Sequence, residues 1–352
     1  MHDAPKAGDP RPTHLLSVAP MMDWTDRHCR ALHRTLSACT LLYTEMVTAP
    51  ALTHAEDWQL KKMLDFSGPE HPVALQIGGS DPAELAEAVR IACAWGYDEI
   101  NLNVGCPSDR VQNGAFGAVL MKDPDLVARC CAAMMEASAA AGGPEITVKC
   151  RIGVDDQDPQ AVLPDFLDRV AAVGVRRFAV HARMAWLKGL SPKENRDVPP
   201  LNYPLVHAMK ARRPDLSISI NGGIQTLDAA LEEIGGGAGE GGAAGVPLDG
   251  AMIGRAAYHA PDLVLGSADR RVFGLDVPDV TPEQAVARYM PYVEEMLAAG
   301  VPLHRITKHM LGLFTGRPGA RKWRRVLTEE SRLEGAGTEV IVKAQACVAP
   351  AD

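Results

Sequence analysis

Asn101-Leu102-Asn103-Val104-Gly105-Cys106-Pro107-Ser108 holds the side chains of this chain best suited to chemistry. The segment continues a strand-like run at 97–100 and sets a thiol on a tight Gly-Cys-Pro turn. Proline fixes φ and glycine permits unusual φ, so the backbone around Cys106 is held in place. Asn101 and Asn103 alternate with Leu102 and Val104, which puts both amides on one face at the end of a strand. A thiol offered beside amide partners at a strand terminus is arranged for reaction. Taken alone, a Gly-Cys-Pro turn also suits a buried structural cysteine. What the other elements bring beside it decides.

Strand patterns recur at 15–19, 41–46, 73–78, 99–104, 146–152, 177–181, 217–221 and 249–253. Helical patterns lie between them, at 81–95, 124–141, 161–173, 205–212 and 226–234. Asp81-Pro82-Ala83-Glu84 has the Asp N-cap, the Pro at the first position and the Glu at the third that start a helix. Alternating strands and helices imply a parallel sheet. Eight of them predict an α/β fold, a (β/α)8 TIM barrel, over 15–275. No strand leads into G-x-G-x-x-G, which argues against a Rossmann sheet. From about 280 the pattern turns helical, with helices expected at 281–300, at 303–314, through Trp323 and Leu327, and at 340–348. We read 276–348 as a small C-terminal helical domain, 1–14 as a disordered leader, and the Gly- and Ala-rich 235–245 as a surface loop.

A barrel of this type carries its chemistry at the C-terminal ends of its strands. Those ends read Ala19-Pro20-Met21-Met22, Thr44-Glu45-Met46, Gln76-Ile77-Gly78, Asn103 to Cys106, Lys149 with Arg151, His181-Ala182-Arg183, Asn221-Gly222-Gly223 and Gly254-Arg255. One lysine or histidine at a strand end is usually a surface residue; a full ring of polar ends is a site. Glycine-rich turns after the last two strands suit a phosphate cradle, and Arg255 adds a cation to it. With Lys149 and Gln76 at neighbouring ends, the ligand expected is a phosphorylated cofactor with a polar heterocycle. FMN fits, because a lysine stabilises the anionic reduced ring and an amide bonds its polar edge.

The 352 residues carry a net charge of -8, and 47% are hydrophobic. No apolar run is long enough to span a bilayer, and the polar start lacks a signal-peptide core. The eight cysteines have no metal-site spacing. We therefore expect reduced thiols, no metal and a cytoplasmic monomer. The acidic total disfavours a polyanionic partner, but a total does not see a local patch.

The motifs resemble those of the tRNA-dihydrouridine synthases. The resemblance rests on Ala19-Pro20-Met21, Tyr43-Thr44-Glu45-Met46, Gln76-Ile77-Gly78-Gly79, Asn101 to Pro107 and Asn221-Gly222-Gly223-Ile224. It is closest to the A-type enzymes, which act on positions 20 and 20a of the D-loop. That narrower likeness comes from Ser108-Asp109-Arg110-Val111-Gln112-Asn113-Gly114, from Leu190-Ser191-Pro192-Lys193-Glu194-Asn195-Arg196, and from His309-Met310-Leu311-Gly312-Leu313-Phe314. Residues 235–245 and the end after Leu333 depart from the family pattern without touching a motif. The resemblance implies that NADPH reduces bound FMN, that hydride passes to uridine C6, and that Cys106 donates a proton to C5. A thiol of ordinary pKa, ~8.5, is mostly protonated at neutral pH and can serve as that acid. It further implies FMN contacts from Pro20, Met21, Met22, Gln76, Lys149, His181, Asn221, Gly222, Gly223, Gly254 and Arg255. Asn103 and Arg183 are expected beside the target base.

A uridine inside folded tRNA must be extruded before it can meet a flavin, so the protein must grip the RNA around it. The stretch 304–325 contains Arg305, Lys308, Arg317, Arg321, Lys322, Arg324 and Arg325, no Asp or Glu, and Trp323. It is the expected tRNA face, centred on Arg305 and Lys308, with Lys193 and Arg196 as contacts on the barrel side. Two other readings compete. A small-molecule FMN oxidoreductase shares barrel and cofactor but gives the basic helices no purpose. A non-catalytic RNA-binding protein gives Cys106 and the cofactor ring none.

Overall fold

Strand β1 (Leu16–Val18) pairs in parallel with both β2 (Leu41–Thr48) and β8 (Gly250–Ile253), and this double pairing closes the sheet. Between them run β3 (Val73–Gly78), β4 (Glu99–Val104), β5 (Glu145–Arg151), β6 (Arg177–His181) and β7 (Ser217–Asn221), each hydrogen-bonded to the next. The result is the expected eight-stranded parallel barrel. This computed structural model describes residues 14–108, 116–236 and 245–349. The rest of the proposed leader, the string 109–114 and most of the Gly-rich loop lie outside the described residues. The expected strand limits agree with the observed ones to within two residues. β2 runs on to Thr48 because its register with β3 shifts between Tyr43 and Met46, a bulge that re-aims the strand at the barrel rim.

The outward residues of each strand are apolar and lie under helices, as parallel strands require. Ile100, Leu102 and Val104 are fully buried in this way. Helix Pro82–Cys93 begins where expected, with Asp81 accepting from the Glu84 N–H at 2.8 Å, and buries Leu85, Ala88, Val89 and Ala92 at helical spacing. The inward face differs. Its apolar cluster is small, comprising Ala19, Leu41, Tyr43, Ala74, Ala179 and Met252. Glu99, Asn101, Asn103, Gln76 and Thr147 are also buried, so polar groups share the barrel interior.

Beyond the barrel, Thr281 caps helix Pro282–Ala298 through a reciprocal capping box with Gln284. Helices Leu303–Thr307, Ala320–Glu330 and Glu339–Gln345 follow. The single helix expected over 303–314 is broken. The Thr307 hydroxyl bonds back to the Leu303 carbonyl at 3.1 Å, a 3-10 turn covers Lys308–Gly312, and Phe314 adopts φ 63°. Trp323 is fully buried, stands edge-on to Phe314 and donates to the Met310 carbonyl at 2.9 Å. It anchors the core of these helices and is closed to RNA.

The C-terminal helices seat on barrel helix Arg27–Leu36. The Tyr289 hydroxyl donates to the His28 carbonyl at 2.8 Å, and the His28 ring meets the Tyr292 hydroxyl at 2.8 Å. Asp26 caps the barrel helix and also lies 3.0 Å from Lys308 Nζ. His309 Nε2 is 2.9 Å from the same carboxylate, off the line of a hydrogen bond. Burial pushes His28 down to about 4 and His33 to about 3, and lowers His309. The His28 and His33 imidazoles fold neutral, whereas an unfolded histidine takes up its proton near ~6.5. The unfolded chain therefore binds more protons below that pH, and stability falls with acidification from about 6.5 towards about 4. Asp26, held low by His309 and Lys308 against the opposing effect of burial, keeps its contribution through that window and loses it only in stronger acid. Urea-unfolding stability is expected to decline between pH 7 and 4.5. His33→Leu should remove up to about 1.4 kcal/mol per pH unit of that slope.

Candidate active site

The C-terminal strand ends enclose a cleft of about 390 Å³. Its walls take in every residue expected to hold the cofactor: Pro20, Met21, Met22, Gln76, Lys149, His181, Asn221, Gly222, Gly223, Gly254 and Arg255. Cys106, Asn103, Arg151 and Arg196 line the same space. Strand register accounts for the grouping, since Asn103 pairs with Lys149 and His181 with Asn221.

Cys106 sits on a turn clamped from three sides. Asn103 Oδ1 accepts from the N–H groups of Gly105 and Cys106 at 3.1 and 3.0 Å. Arg151 Nε donates to the Gly105 carbonyl at 3.2 Å, and the Ala118 N–H donates to the Cys106 carbonyl at 2.9 Å. The thiol is half-buried and donates to Ser108 Oγ at 3.5 Å. Asn103 lines the cleft, but both ends of its amide are spent on protein, the other donating to Gln76 Oε1 at 2.7 Å.

Across the cleft, Lys149 Nζ donates to Asn221 Oδ1 at 3.0 Å, and Asn221 Nδ2 donates to the Met252 carbonyl at 2.8 Å. Burial lowers the Lys149 ammonium to about 8, with Arg151 contributing. Burial also drives His181 well below its ordinary value, helped by Arg151 and Lys149, so its ring is neutral. His181 Nε2 faces the cleft with no hydrogen-bond partner among the described residues. Gly222, at φ 104°, passes so close that a Cβ there would lie 2.5 Å from the His181 ring. An orphaned buried nitrogen beside bare backbone that admits no side chain is what a tightly held ligand needs. With Lys149, Arg151, Arg196 and Arg255 around it, the cleft fits an anionic cofactor such as a flavin mononucleotide.

The loop after β6 supplies one wall. Asn195, fully buried, accepts from the Trp186 N–H at 2.7 Å and donates to the carbonyls of Trp186 and Leu190 at 2.9 and 3.1 Å. Arg151 holds the same loop through the Asn195 carbonyl at 3.0 Å. Arg255 is gripped by both oxygens of Asp197, at 2.5 and 3.2 Å. Arg183, expected beside the base, does not line the cleft; it binds the carbonyls of Asp197 and Pro199 and braces the loop. Lys193 is exposed on this loop. Arg151, Asn195 and Asp197 carry roles that the ring of strand ends did not assign. Thr147, Lys149 and Arg151 at period two were the available signal for the first.

On the C-terminal helices the expected basic stretch divides. Lys308 is committed to Asp26, and Arg317 to Glu283. Arg305, Arg321, Lys322, Arg324 and Arg325 are exposed and form no ion pair among the described residues.

Residues 17–348 match the family profile of dihydrouridine synthases (Dus). A tRNA-dihydrouridine(20/20a) synthase of Salmonella typhi is 50% identical over 339 residues, covering 96% of each chain. The enzymes of that name from Vibrio cholerae and Escherichia coli are 51% and 50% identical, covering 94% and 96% of this chain and 95% and 96% of their own. With the profile spanning residues 17–348 and half the aligned positions shared along nearly the full length of these relatives, this chain belongs to the dihydrouridine synthase family.

Proposed function

We propose that this protein is a flavin-dependent tRNA-dihydrouridine(20/20a) synthase, reducing the C5–C6 bond of uridines 20 and 20a in the tRNA D-loop with FMN as its flavin and NADPH as reductant. The observation that carries this reading is the union, in one cleft, of a clamped thiol, a buried lysine, an unpartnered neutral histidine and a glycine cradle. Reduced flavin supplies the hydride that uridine C6 requires. Everything else falls to the chain. Lys149 and Arg151 place positive charge where a reduced ring carries negative charge, and Gly222 and Gly223 with Arg255 receive the phosphate. Met21 and Met22 form the apolar wall, and Gln76 and Asn221 orient the heterocycle. Cys106 gives its proton to C5, so that hydride and proton together saturate the bond. Arg196 and Lys193 reach the RNA from the barrel loop, with Asn103 in the wall beside the extruded base and Arg183 acting from behind it by bracing the loop. The helical domain 276–348 holds the tRNA body through Arg305 and its exposed neighbours, while Lys308 ties that surface to the barrel.

Cys106→Ala is expected to keep flavin and tRNA binding while turnover falls by about 10²–10⁴-fold. Dihydrouridine formation at the wild-type rate would remove the acid role. For flavin, the charged form of Lys149 exists below about pH 8 and is lost above it. FMN affinity measured by titration of apoprotein should be flat up to that pH and weaken beyond it. Lys149→Met should bind weakly and without the break. Arg305→Glu combined with Arg321→Glu should weaken tRNA binding and lower its salt dependence by about one per positive charge removed, with the flavin spectrum unchanged.

A further inference from the structure

The barrel interior holds a carboxylate that the chemistry above leaves unused. Glu99 opens β4, at the opposite end of the strand from Cys106, and is 2% exposed. Its Oε2 accepts from Arg177 Nη1 at 3.1 Å. Its Oε1 accepts from Thr147 Oγ1 at 2.6 Å and from the Tyr43 hydroxyl. A carboxylate only accepts, so Thr147 must spend its hydrogen there and can only accept from its other neighbour. That neighbour is Asn101 Nδ2, at 2.8 Å. Asn101 must then turn its oxygen to Gln76 Nε2 at 2.8 Å, and Gln76 its oxygen to Asn103 Nδ2 at 2.7 Å. Asn103 is left presenting its oxygen to the N–H groups of Gly105 and Cys106.

Each amide in this chain has one orientation allowed by its neighbours. The two ends demand the same one, because the carboxylate admits only donors and the backbone N–H groups admit only an acceptor. Glu99, Asn101 and Asn103 share the inward face of β4, and Asn101 stands in register with Thr147 on β5 and with Gln76 on β3. Burial raises the Glu99 carboxyl, and Arg177, Thr147 and Tyr43 oppose that rise.

We infer that Glu99 is a positioning residue for proton delivery, acting through Thr147, Asn101, Gln76 and Asn103 to hold the Cys106 turn; the inference rests on Cys106 as the proton donor. Glu99→Gln puts an amide N–H₂ either against Arg177, where two donors face each other and the ion pair that fixes Glu99 is lost, or against the two hydroxyls, where the order itself breaks. Thr147→Val cuts the same chain with little change of shape.

The test compares Glu99→Gln, Thr147→Val, the double variant, and each single change in a Cys106→Ala background, as flavin-loaded enzyme with saturating tRNA. Each single change should lower kcat by about ten- to hundredfold, with KM for tRNA and bound flavin unchanged. The double variant should be no slower than the slower single one, and neither change should further reduce the residual turnover of Cys106→Ala. An unchanged kcat, effects that multiply in the double variant, or the same loss in the Cys106→Ala background would each overturn the inference while leaving Cys106 as donor. Full turnover by Cys106→Ala alone would instead overturn the donor assignment, and this inference with it. Should Glu99→Gln fail to fold, Thr147→Val with and without Cys106 decides the matter by the same comparison.

Discussion

Three parallel register pairs between β1 and β8, joining Leu16 to Ala251, Ser17 to Met252 and Val18 to Ile253, turn an open sheet into a ring. Once the ring is closed, the C-terminal ends of all the strands must face one another across a common axis. Cys106, Lys149, His181 and Asn221 are far apart along the chain, and no local contact would assemble them. Closure brings them around one cleft, and the register between neighbouring strands sets the height at which each side chain enters it.

The site places costly groups inside that ring. A lysine pushed down to about 8 and a histidine held neutral by burial among four cations are not arrangements that favour folding. An anionic ligand in the cleft would offset the cost of the buried cations. A chain that is acidic overall thus concentrates positive charge at the barrel mouth, an arrangement suited to an anionic ligand. The amide chain rising from Glu99 meets part of the need of a polar interior, joining Thr147, Asn101, Gln76 and Asn103 in one consistent order.

Asp26 joins the two parts of the molecule. Its carboxylate accepts from the His28 and Cys29 N–H groups at the start of the first barrel helix, and it also contacts Lys308 and His309 on the C-terminal helices. The same group that begins a barrel helix therefore sets where the exposed basic surface stands relative to the cleft. Such a link suits an enzyme that must hold a large nucleic acid while one base is drawn into its interior.

Residue types and their period were enough to locate every strand, the Asp81 and Thr281 helix starts, and the ring of polar strand ends, because burial on one face imposes a repeat that survives in the linear order. The motif around Cys106 likewise announced a thiol on a rigid turn with an amide beside it. Pairings between distant elements were decided only in three dimensions. Trp323 reads as one aromatic among cations, yet the turn of its helix carries it into the core. Lys308 reads as a free cation, yet Asp26, far earlier in the chain, claims it. Arg183 braces a loop, and Glu99 reaches Cys106 only through residues on three different strands. Periodicity records which face of an element is buried, whereas the partner waiting on that face depends on register and closure, which are properties of the whole sheet.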